Sequence, residues 1–291
     1  MPTFNSHVFL KQAIESVLAQ TFKDFEFIII DDNSTDGSLS IIQRYTSDNR
    51  IKLLVNSQRV GLVRSLNIGL KHARGTFIAR QDSDDISLNI RFEKQVNFLL
   101  GHPNTGLVGT GAYVINAEGK VIGQQNAVGN PAEALLKSNV FVHGSVIFRK
   151  AAIDEVGPYN ELFNFSEDYE LWLRISSCFD VGFLNSPLYA WRYHQNSRFA
   201  LSLTLFKGEY VTTKLARKLL GGQVTIEEIK RLDEASKLCN FSLKEEVYIY
   251  LLWVKSAITK HLLSSQFGRA VHNVYHSIAS KIKKQESLSK T

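Results

Sequence analysis

Cysteine is scarce in this sequence, and no two cysteines stand at a spacing typical of a metal site. Only Cys178 and Cys239 occur in the 291 residues, and they are far apart. Structural zinc sites and disulfide frameworks need several cysteines at short, regular spacings. We therefore expect neither, and two isolated thiols suit the reducing environment of the cytoplasm.

Long apolar runs are missing as well. Lys11 and Glu15 interrupt the first apolar stretch, which is unlike the continuous apolar segment of a signal peptide. The longest apolar run near the end, "VYIYLLWV" at 247–254, is followed by Lys255. It is far shorter than the roughly 20 residues that span a bilayer. These absences predict a cytoplasmic protein. The inner face of the plasma membrane is a more specific location, which depends on the basic residues 201–291 contacting lipid.

Glycine-rich nucleotide motifs are a third absence. The nearest approach to G-x-G-x-x-G is "GTGAYV", where Val114 stands in place of the third glycine, and no G-x-x-x-x-G-K-[ST] segment occurs. In those motifs glycine lets the backbone approach a phosphate group closely. The sequence therefore argues against a dinucleotide-dependent dehydrogenase and against a P-loop nucleotide hydrolase.

Acidic residues are under-represented only in the last third of the chain. Residues 1–200 hold 19 Lys and Arg against 20 Asp and Glu, whereas residues 201–291 hold 15 against 8. The net charge of +6 therefore comes from 201–291. Such an excess is typical of a solvated helical face, or of a surface that contacts an anionic membrane peripherally. A nucleic-acid partner is not expected, because no known binding module occurs and few aromatic residues alternate with the basic ones.

The first 100 residues alternate between strand-like and helix-like patterns. The apolar runs "FEFIII" (25–30), "IKLLV" (51–55) and "TFIAR" (76–80) are typical of buried strands. Apolar residues recur at helical spacing in "HVFLKQAIESVLAQTF", "SLSIIQRY", "LVRSLNIGLKHA" and "LNIRFEKQVNFLL". This order predicts an α/β fold in which helices flank a mixed, mostly parallel sheet.

The pattern changes after residue 105. "GLVGTGAYVINAEGKVIGQ" predicts a β-hairpin around "NAEGK", "GSVIFRK" predicts a strand, and "EDYELWLRISS" predicts a helix. From about residue 200 onward the spacing is helical. We therefore expect an α/β domain over 1–200 and a basic, helical carboxyl-terminal region over 201–291.

Acidic residues follow two of the predicted strands. Asp31 and Asp32 stand where "FEFIII" ends, and Asp82, Asp84 and Asp85 follow "TFIAR". Ligands of open α/β sheets bind beyond the carboxyl ends of the strands. A carboxylate there can accept hydrogen bonds from a nucleotide base or ribose, although the rest of "DDNSTDGS" is also typical of a turn and a helix cap.

Three carboxylates within four positions, as in "QDSDD", repel one another unless water or a cation compensates them. Helix capping explains one or two of them. Mg²⁺ typically binds one or two carboxylates together with substrate phosphates. Both acidic strand ends together indicate a site for a nucleotide diphosphate that is bridged by a divalent metal ion.

Two later segments contain further candidates. In "FNFSEDYELWLRI", Glu167 and Asp168 precede a helix, where they are either ordinary first-turn acids or a carboxylate base. His194 in "WRYHQNS" and His143 in "FVHGSVIF" are lone histidines, which are more often structural than metal ligands.

Three segments together resemble the family 2 glycosyltransferases, which have a GT-A fold. The segments are "ESVLAQTFKDFEFIIIDDNSTDGS", "ARGTFIARQDSDDIS" followed by "RFEKQVNFL", and "EDYELWLR", in matching order and spacing. The resemblance covers roughly residues 1–200. It implies that a sugar moves from a nucleotide-diphosphate donor to an acceptor hydroxyl, with inversion at the anomeric carbon.

The resemblance also implies the residues of the site. For the donor nucleotide it implies Pro2 and Phe4 in the loop 2–5, the base-holding Asp32, Asp84 near the ribose, and Arg64 and Asn67 at a helix start. For Mn²⁺ or Mg²⁺ it implies Asp85 as a direct ligand, with Asp84 and His194 beside it. Asp168 matches the general base.

One departure from the family concerns its first strand. Relatives have an apolar strand that runs into "PT[YF]N", whereas here "PTFN" follows Met1 directly. A missing central strand would leave neighbouring backbone groups unpaired and apolar surface uncovered.

The sequence and the resemblance together leave two expected functions. One is an inverting transferase that uses a UDP-sugar and a glycan or lipid-linked acceptor to build bacterial surface polysaccharide. The other is a non-catalytic nucleotide-sugar-binding protein.

Overall fold

The computed structural model describes residues 1–126, 129–137, 139–161, 163 and 167–194. The chain divides into two compact units, Met1–Leu205 and Phe206–Thr291, and all described residues lie in the first. The predictions for 201–291, both its helical content and its membrane contact, lie outside the described residues. None of the helices within the described ranges combines the length and apolarity that a bilayer crossing requires.

Strands and helices alternate along the first 100 residues, as the sequence predicts. The strands are β1 (Pro2–Thr3), β2 (Phe27–Asp31), β3 (Ile51–Val55), β4 (Phe77–Ala79), β5 (Ile86–Ser87), β6 (Thr105–Ile115), β7 (Val121–Gln125), β8 (Ile147–Arg149) and β9 (Asp180–Arg192). The α-helices are α1 (His7–Leu18), α2 (Ser38–Gln43), α3 (Leu62–His72), α4 (Arg91–Gly101), α5 (Pro131–Lys137), α6 (Lys150–Val156) and α7 (Glu167–Cys178).

The strands form two sheets. The first has the order β1-β2-β3 and is parallel throughout. The second has the order β4-β8-β6-β9-β5, with β7 on β6, and only β6 and β9 pair in parallel. The predicted α/β fold with a mixed sheet is confirmed. Parallel pairing is less frequent than expected, because a tight hairpin such as β6–β7 joins antiparallel strands.

The core lies where helices cover the parallel sheet. Leu10, Ile14 and Val17 recur at helical spacing, so α1 presents one apolar face. These side chains are buried in one cluster with Ile29 of β2 and Leu99 of α4. This cluster anchors β2, and the candidate site begins at the carboxyl end of that strand.

The strand β9 was not predicted from the sequence. It runs for 13 residues along β6 and contains Pro187, which cannot donate a backbone hydrogen bond. Gly111 pairs with Pro187 where the register shifts, so the proline lies at an irregularity of the ladder. A proline inside an apolar run argues against a strand when only the sequence is known. Here Pro187 is compatible with a strand because it lies at an irregularity of the ladder.

The first strand is present, although it is short. Pro2 and Thr3 pair in parallel with Ile30 and Asp31, and the amino group of Met1 donates to Ile28 O at 2.8 Å. The expectation that this strand is missing therefore holds only in part, since two residues of "PTFN" form it.

A groove lies between the two sheets beside β1. Its volume is about 860 Å³, and its lining includes Ile28, Phe77 and Ile147. Arg80 N donates to Val146 O, and Thr76 O accepts from Lys150 N, so these backbone groups face β8. In an antiparallel pair the backbone groups alternate in direction, so those of Phe77 and Ala79 face away from β8. Among the described strands, β4 therefore ends the second sheet on this side.

Candidate functional site

Two loops beyond β1 and β2 form one wall of the site. Asn5 N donates to Ser34 Oγ at 3.1 Å, and Asn5 Oδ1 accepts from Thr35 N at 2.8 Å. Asn5 has a positive φ of 47°, a conformation that asparagine adopts more readily than most residues. The loop 2–5 is therefore held against the end of β2.

Asp32 is buried and joins the end of β2 to the loop before α3. Its Oδ1 accepts from Asn56 Nδ2 and Val60 N, and its Oδ2 accepts from Gly61 N, each at 2.8 Å. A carboxylate offers about four acceptor positions. Oδ2 therefore keeps one position for a further donor, while the other contacts fix the loop.

Phe4 is partly exposed at the same wall and has a cationic neighbour. The guanidinium carbon of Arg59 lies 4.0 Å from the centroid of its ring. Aromatic and guanidinium planes both stack on flat, unsaturated rings. Arg59 is a site candidate that the sequence analysis missed, because an exposed arginine in a loop matches no pattern.

Arg64 and Asn67 of α3 contact the loop that leads to α7. Asn67 Nδ2 donates to Tyr159 O at 2.9 Å, and Tyr159 N donates to Asn67 Oδ1 at 3.0 Å. Arg64 pairs with Glu161 at 2.8 Å on the surface. Both ends of the Asn67 amide thus hold the loop backbone, a structural role that the sequence did not indicate.

The acidic loop (residues 81–85) connects β4 with β5 and gives its carboxylates different partners. Asp82 pairs with the buried guanidinium of Arg80 at 2.5 Å. Burial opposes ionisation of Asp82, but the Arg80 charge outweighs it and holds the pKa of Asp82 below its ordinary value.

Asp85 is buried against β9. Its Oδ1 accepts from the backbone N–H of Arg192 at 2.7 Å. Burial, reinforced by the charges of Asp84 and Asp82, raises the pKa of Asp85 well above its ordinary value. The repulsion that the sequence predicts among the three acids therefore acts mainly on Asp85.

Asp84 and His194 are brought together by the end of β9. Asp84 Oδ2 and His194 Nε2 are 3.0 Å apart, and both side chains are partly exposed. Arg192 Nε donates to Asp84 O at 2.9 Å, which fixes the acidic loop to the strand that leads to His194. A carboxylate oxygen and an imidazole nitrogen that face each other at this distance suit a divalent metal ion.

A metal ion at this place would need further ligands. Among the residues that the structure describes, no three His, Cys, Asp or Glu side chains stand close enough to form a complete metal cluster. Mg²⁺ commonly takes its other ligands from substrate phosphates and water. The donor set of Asp84 and His194 therefore fits a cation that arrives together with a diphosphate.

Asp168 lies in the first turn of α7 and is partly exposed. Its Oδ1 accepts from Tyr169 N at 2.7 Å, and its Oδ2 accepts from Asn139 Nδ2 at 2.8 Å. Burial, together with the charges of Glu167 and Asp82, raises the pKa of Asp168 to about 7. A carboxyl with this pKa can accept a proton near neutral pH.

The acidic loop and the start of α7 face a shared region. Arg80, the partner of Asp82, has its Nη2 3.4 Å from His143 Nδ1, and His143 Nε2 lies 2.9 Å from Tyr159 Oη in the loop before α7. The charge of Asp82 opposes the ionisation of Asp85 and of Asp168. The structure thus groups the residues of two separate sequence segments. Sequence reasoning missed Asn139 and Arg80; for Arg80, the available signal was a charge next to an apolar strand. It grouped Arg192 with His194 but gave Arg192 no role.

A family model supplies the comparison that decides the family. The model described as "Glycosyl transferase family 2" matches residues 1–157, which is more than half of the chain. The chain belongs to glycosyl transferase family 2. The resemblance inferred from the sequence is thereby confirmed.

Curated relatives of this glycosyltransferase include bacterial glycosyltransferases. It is 39% identical over 188 residues to "Putative glycosyltransferase EpsE" of Bacillus subtilis, which covers 63% of this chain and 66% of EpsE. It is 30% identical over 228 residues to "UDP-Glc:alpha-D-GlcNAc-diphosphoundecaprenol beta-1,3-glucosyltransferase WfgD" of Escherichia coli. That match covers 75% of this chain and 87% of WfgD. The glycosyltransferase thus spans about two thirds of EpsE and most of WfgD.

Solved structures confirm the GT-A fold. Staphylococcus aureus TarS 1–349, solved with UDP, has a TM-score of 0.58 at 19% identity and covers 98% of this chain and 90% of that chain. The mannosyltransferase PcManGT of Pyrobaculum calidifontis, solved with GDP-Man and Mn²⁺, has a TM-score of 0.55 at 15% identity. It covers 96% of this glycosyltransferase and 78% of that chain.

Proposed function

We propose that this glycosyltransferase moves a sugar from a nucleotide-diphosphate donor to an acceptor hydroxyl, with inversion at the anomeric carbon. The carrying observation is Asp168, a partly exposed carboxyl in the first turn of α7 that accepts hydrogen bonds from Tyr169 N and Asn139 Nδ2 and whose pKa is raised to about 7. A single displacement needs one such base, whereas retention through a covalent intermediate needs a nucleophile on the opposite face of the sugar.

The donor nucleotide is proposed to lie on the wall formed by the loops beyond β1 and β2. Its base would stack on Phe4 in the loop that begins at Pro2, and donate a hydrogen bond to the remaining acceptor position of Asp32 Oδ2. A uracil ring has an N–H that fits this acceptor, so a UDP-sugar is the preferred donor. TarS is described in complexes with UDP and UDP-GlcNAc, which supports the choice. Arg64 and Asn67 would act from α3, chiefly by fixing the adjacent loop.

Mn²⁺ or Mg²⁺ is proposed as the cofactor, held by Asp84 and His194 with Asp85 behind them. When bound, the ion would offset the charge that collects on the departing diphosphate. PcManGT is described in complex with Mn²⁺, which supports this choice.

Asp168 is proposed to carry out the proton transfer. An alcohol is a poor nucleophile near neutral pH, so its proton must leave as the new bond forms. The hydroxyl proton moves to Asp168, the acceptor oxygen bonds to the anomeric carbon, and the bond from that carbon to the diphosphate breaks. Because attack and departure occur on opposite faces, the configuration inverts.

The acceptor is proposed to be a glycan or a lipid-linked sugar of bacterial surface polysaccharide. Relatives named for O-antigen and amylovoran biosynthesis, WbnJ and AmsE, support the pathway class. WfgD is named for a diphosphoundecaprenol substrate, which supports a lipid-linked acceptor. An enzyme with such an acceptor would work in the cytoplasm at the inner face of the membrane, and the basic segment 201–291 would contact anionic lipid.

The test is transfer or hydrolysis across a panel of nucleotide sugars with Mn²⁺, for the native chain, Asp168→Asn and the control Asp154→Asn. Asp154 is an exposed carboxylate on α6, so its loss should leave activity unchanged. We expect Asp168→Asn to reduce turnover by about 10²- to 10⁴-fold while donor binding persists. Full activity of Asp168→Asn would refute the base. Donor binding without turnover in the native chain would favour the non-catalytic function.

A further inference from the structure

Asn139 is held in one orientation beside Asp168. Its Nδ2 donates to Asp168 Oδ2 at 2.8 Å, while its Oδ1 accepts from Phe141 N at 3.2 Å. An amide has a donor end and an acceptor end. Because the backbone N–H of Phe141 takes the acceptor end, the donor end is directed at the carboxylate.

The segment that carries Asn139 is fixed independently of this contact. The ring of Phe141 is buried and lies 5.9 Å from that of Phe183. Gly109 of β6 makes room for it, since a Cβ at Gly109 would overlap the Phe141 ring. On the other side, Tyr169 Oη donates to Leu135 O at 2.8 Å. Leu135 is thus attached to α7, and Phe141 is attached to β6.

We infer that Asn139 is a positioning residue that orients the Asp168 carboxylate and favours its ionised form. The inference rests on the proposed function, in which Asp168 is the base. In this role Asn139 acts through the Asp168 carboxylate. Its role is to hold one carboxylate oxygen, so that the base keeps a fixed direction toward the acceptor hydroxyl.

Several neighbouring groups change the pKa of Asp168, and the Asn139 donor is one of them. Glu167 on the same helix and Asp82 in the acidic loop both oppose ionisation of Asp168. Burial and the charge of Asp168 raise the pKa of Tyr159 in the loop before α7. The N–H groups of Asn139 and Tyr169 act in the opposite direction and lower the pKa of Asp168. Removing the Asn139 donor should therefore raise that pKa further.

Two substitutions separate this role from a packing role. Asn139→Ala removes both ends of the amide. Asn139→Asp is nearly isosteric and keeps the acceptor for Phe141 N, but replaces the donor with a second acceptor. Asn130→Asp is the matched control, because Asn130 caps α5 through its oxygen and aspartate can replace it there.

The readouts are the pH dependence of kcat, the donor KM, and the pKa of Asp168 measured by carboxyl-carbon NMR. For Asn139→Ala we expect the acidic limb to move up by about one pH unit, which is about a tenfold loss of kcat below pH 7 that disappears in alkali. Asn139→Asp should shift further, because it adds a like charge. The donor KM and the Asn130→Asp profile should stay at their native values.

The results distinguish this inference from the proposed function. An unshifted Asp168 pKa in both Asn139 variants, or a loss of kcat that is equal at every pH, would overturn the positioning role. A shifted pKa combined with full activity of Asp168→Asn would instead uphold the contact and refute Asp168 as the base.

Discussion

At the scale of single residues, each of the clustered acids acquires its own environment. Asp82 pairs with Arg80, Asp84 pairs with His194, and Asp85 is buried against β9. The segment "DSDD" alone does not predict these differences, because charged groups from distant segments determine the pKa of each aspartate.

The raised pKa of Asp168 predicts a cost in stability. A carboxyl whose pKa is higher in the folded than in the unfolded chain destabilises the fold once pH rises above the unfolded value, and fully so above about 7. We expect Asp168→Asn to increase the free energy of unfolding by about 1–2 kcal/mol at pH 8, allowing for solvent screening, and to change it little at pH 4.

Chemical denaturation of Asp168→Asn and Asp154→Asn at both pH values measures this effect. The exposed Asp154 serves as the control. Equal stability of Asp168→Asn and the native chain at pH 8 would contradict the raised pKa.

The pair Asp84 and His194 predicts a metal affinity that depends on the nucleotide. With UDP present, Mn²⁺ measured by electron paramagnetic resonance should bind about ten- to a hundredfold more weakly to Asp84→Asn and His194→Ala. His102→Ala, which changes an exposed histidine stacked on Phe98, is the control. Unchanged Mn²⁺ affinity in both site variants would remove the proposed metal pair.

At the scale of secondary-structure elements, most of the pattern could be read from the sequence. Apolar periodicity identified β2, β3, β4, α1, α3, α4 and α7, and the turn residues identified the β6–β7 hairpin, since strand, helix and turn patterns are local along the chain. The strand β9 was not predicted, because Pro187 is compatible with a strand only at the register shift that its pairing with β6 creates. The hydrogen bond from Asn67 of α3 to Tyr159 O was not predicted, because the two residues are 92 positions apart in the sequence.

Gly109 of β6 tests how closely the elements are packed. A methyl group at Gly109 would meet the ring of Phe141, so Gly109→Ala should destabilise the protein by about 1–3 kcal/mol. Gly101→Ala is the matched control, because nothing lies within 4 Å of a Cβ at that position. Thermal unfolding of both variants gives the comparison, and similar melting temperatures would refute the overlap.

At the scale of the whole molecule, the groove beside β1 separates the two sheets. Its walls belong to both sheets and include Ile28 of β2 and Phe77 of β4. An apolar surface of this kind is stabilised when a side chain covers it.

The groove predicts that a short extended segment fused ahead of Met1 will stabilise the protein. An extension of alternating valine and threonine can pair with an open edge and cover apolar side chains, for a gain of about 1–3 kcal/mol. A glycine-serine extension of equal length is the control, because it removes the Met1 amine equally but adds no apolar surface. Equal unfolding free energies for the two fusions would show that the groove does not accept a strand.

The sequence by itself determined the α/β class, the order of the early elements and the segments that carry the site. These properties follow from local periodicity and from the position of polar residues at strand ends. The tertiary structure alone decided which carboxylate pairs with which cation, that Asn67 serves as a brace, and that Asn139 meets Asp168. Such contacts depend on distances between segments that are remote along the chain, and local pattern carries no information about those distances.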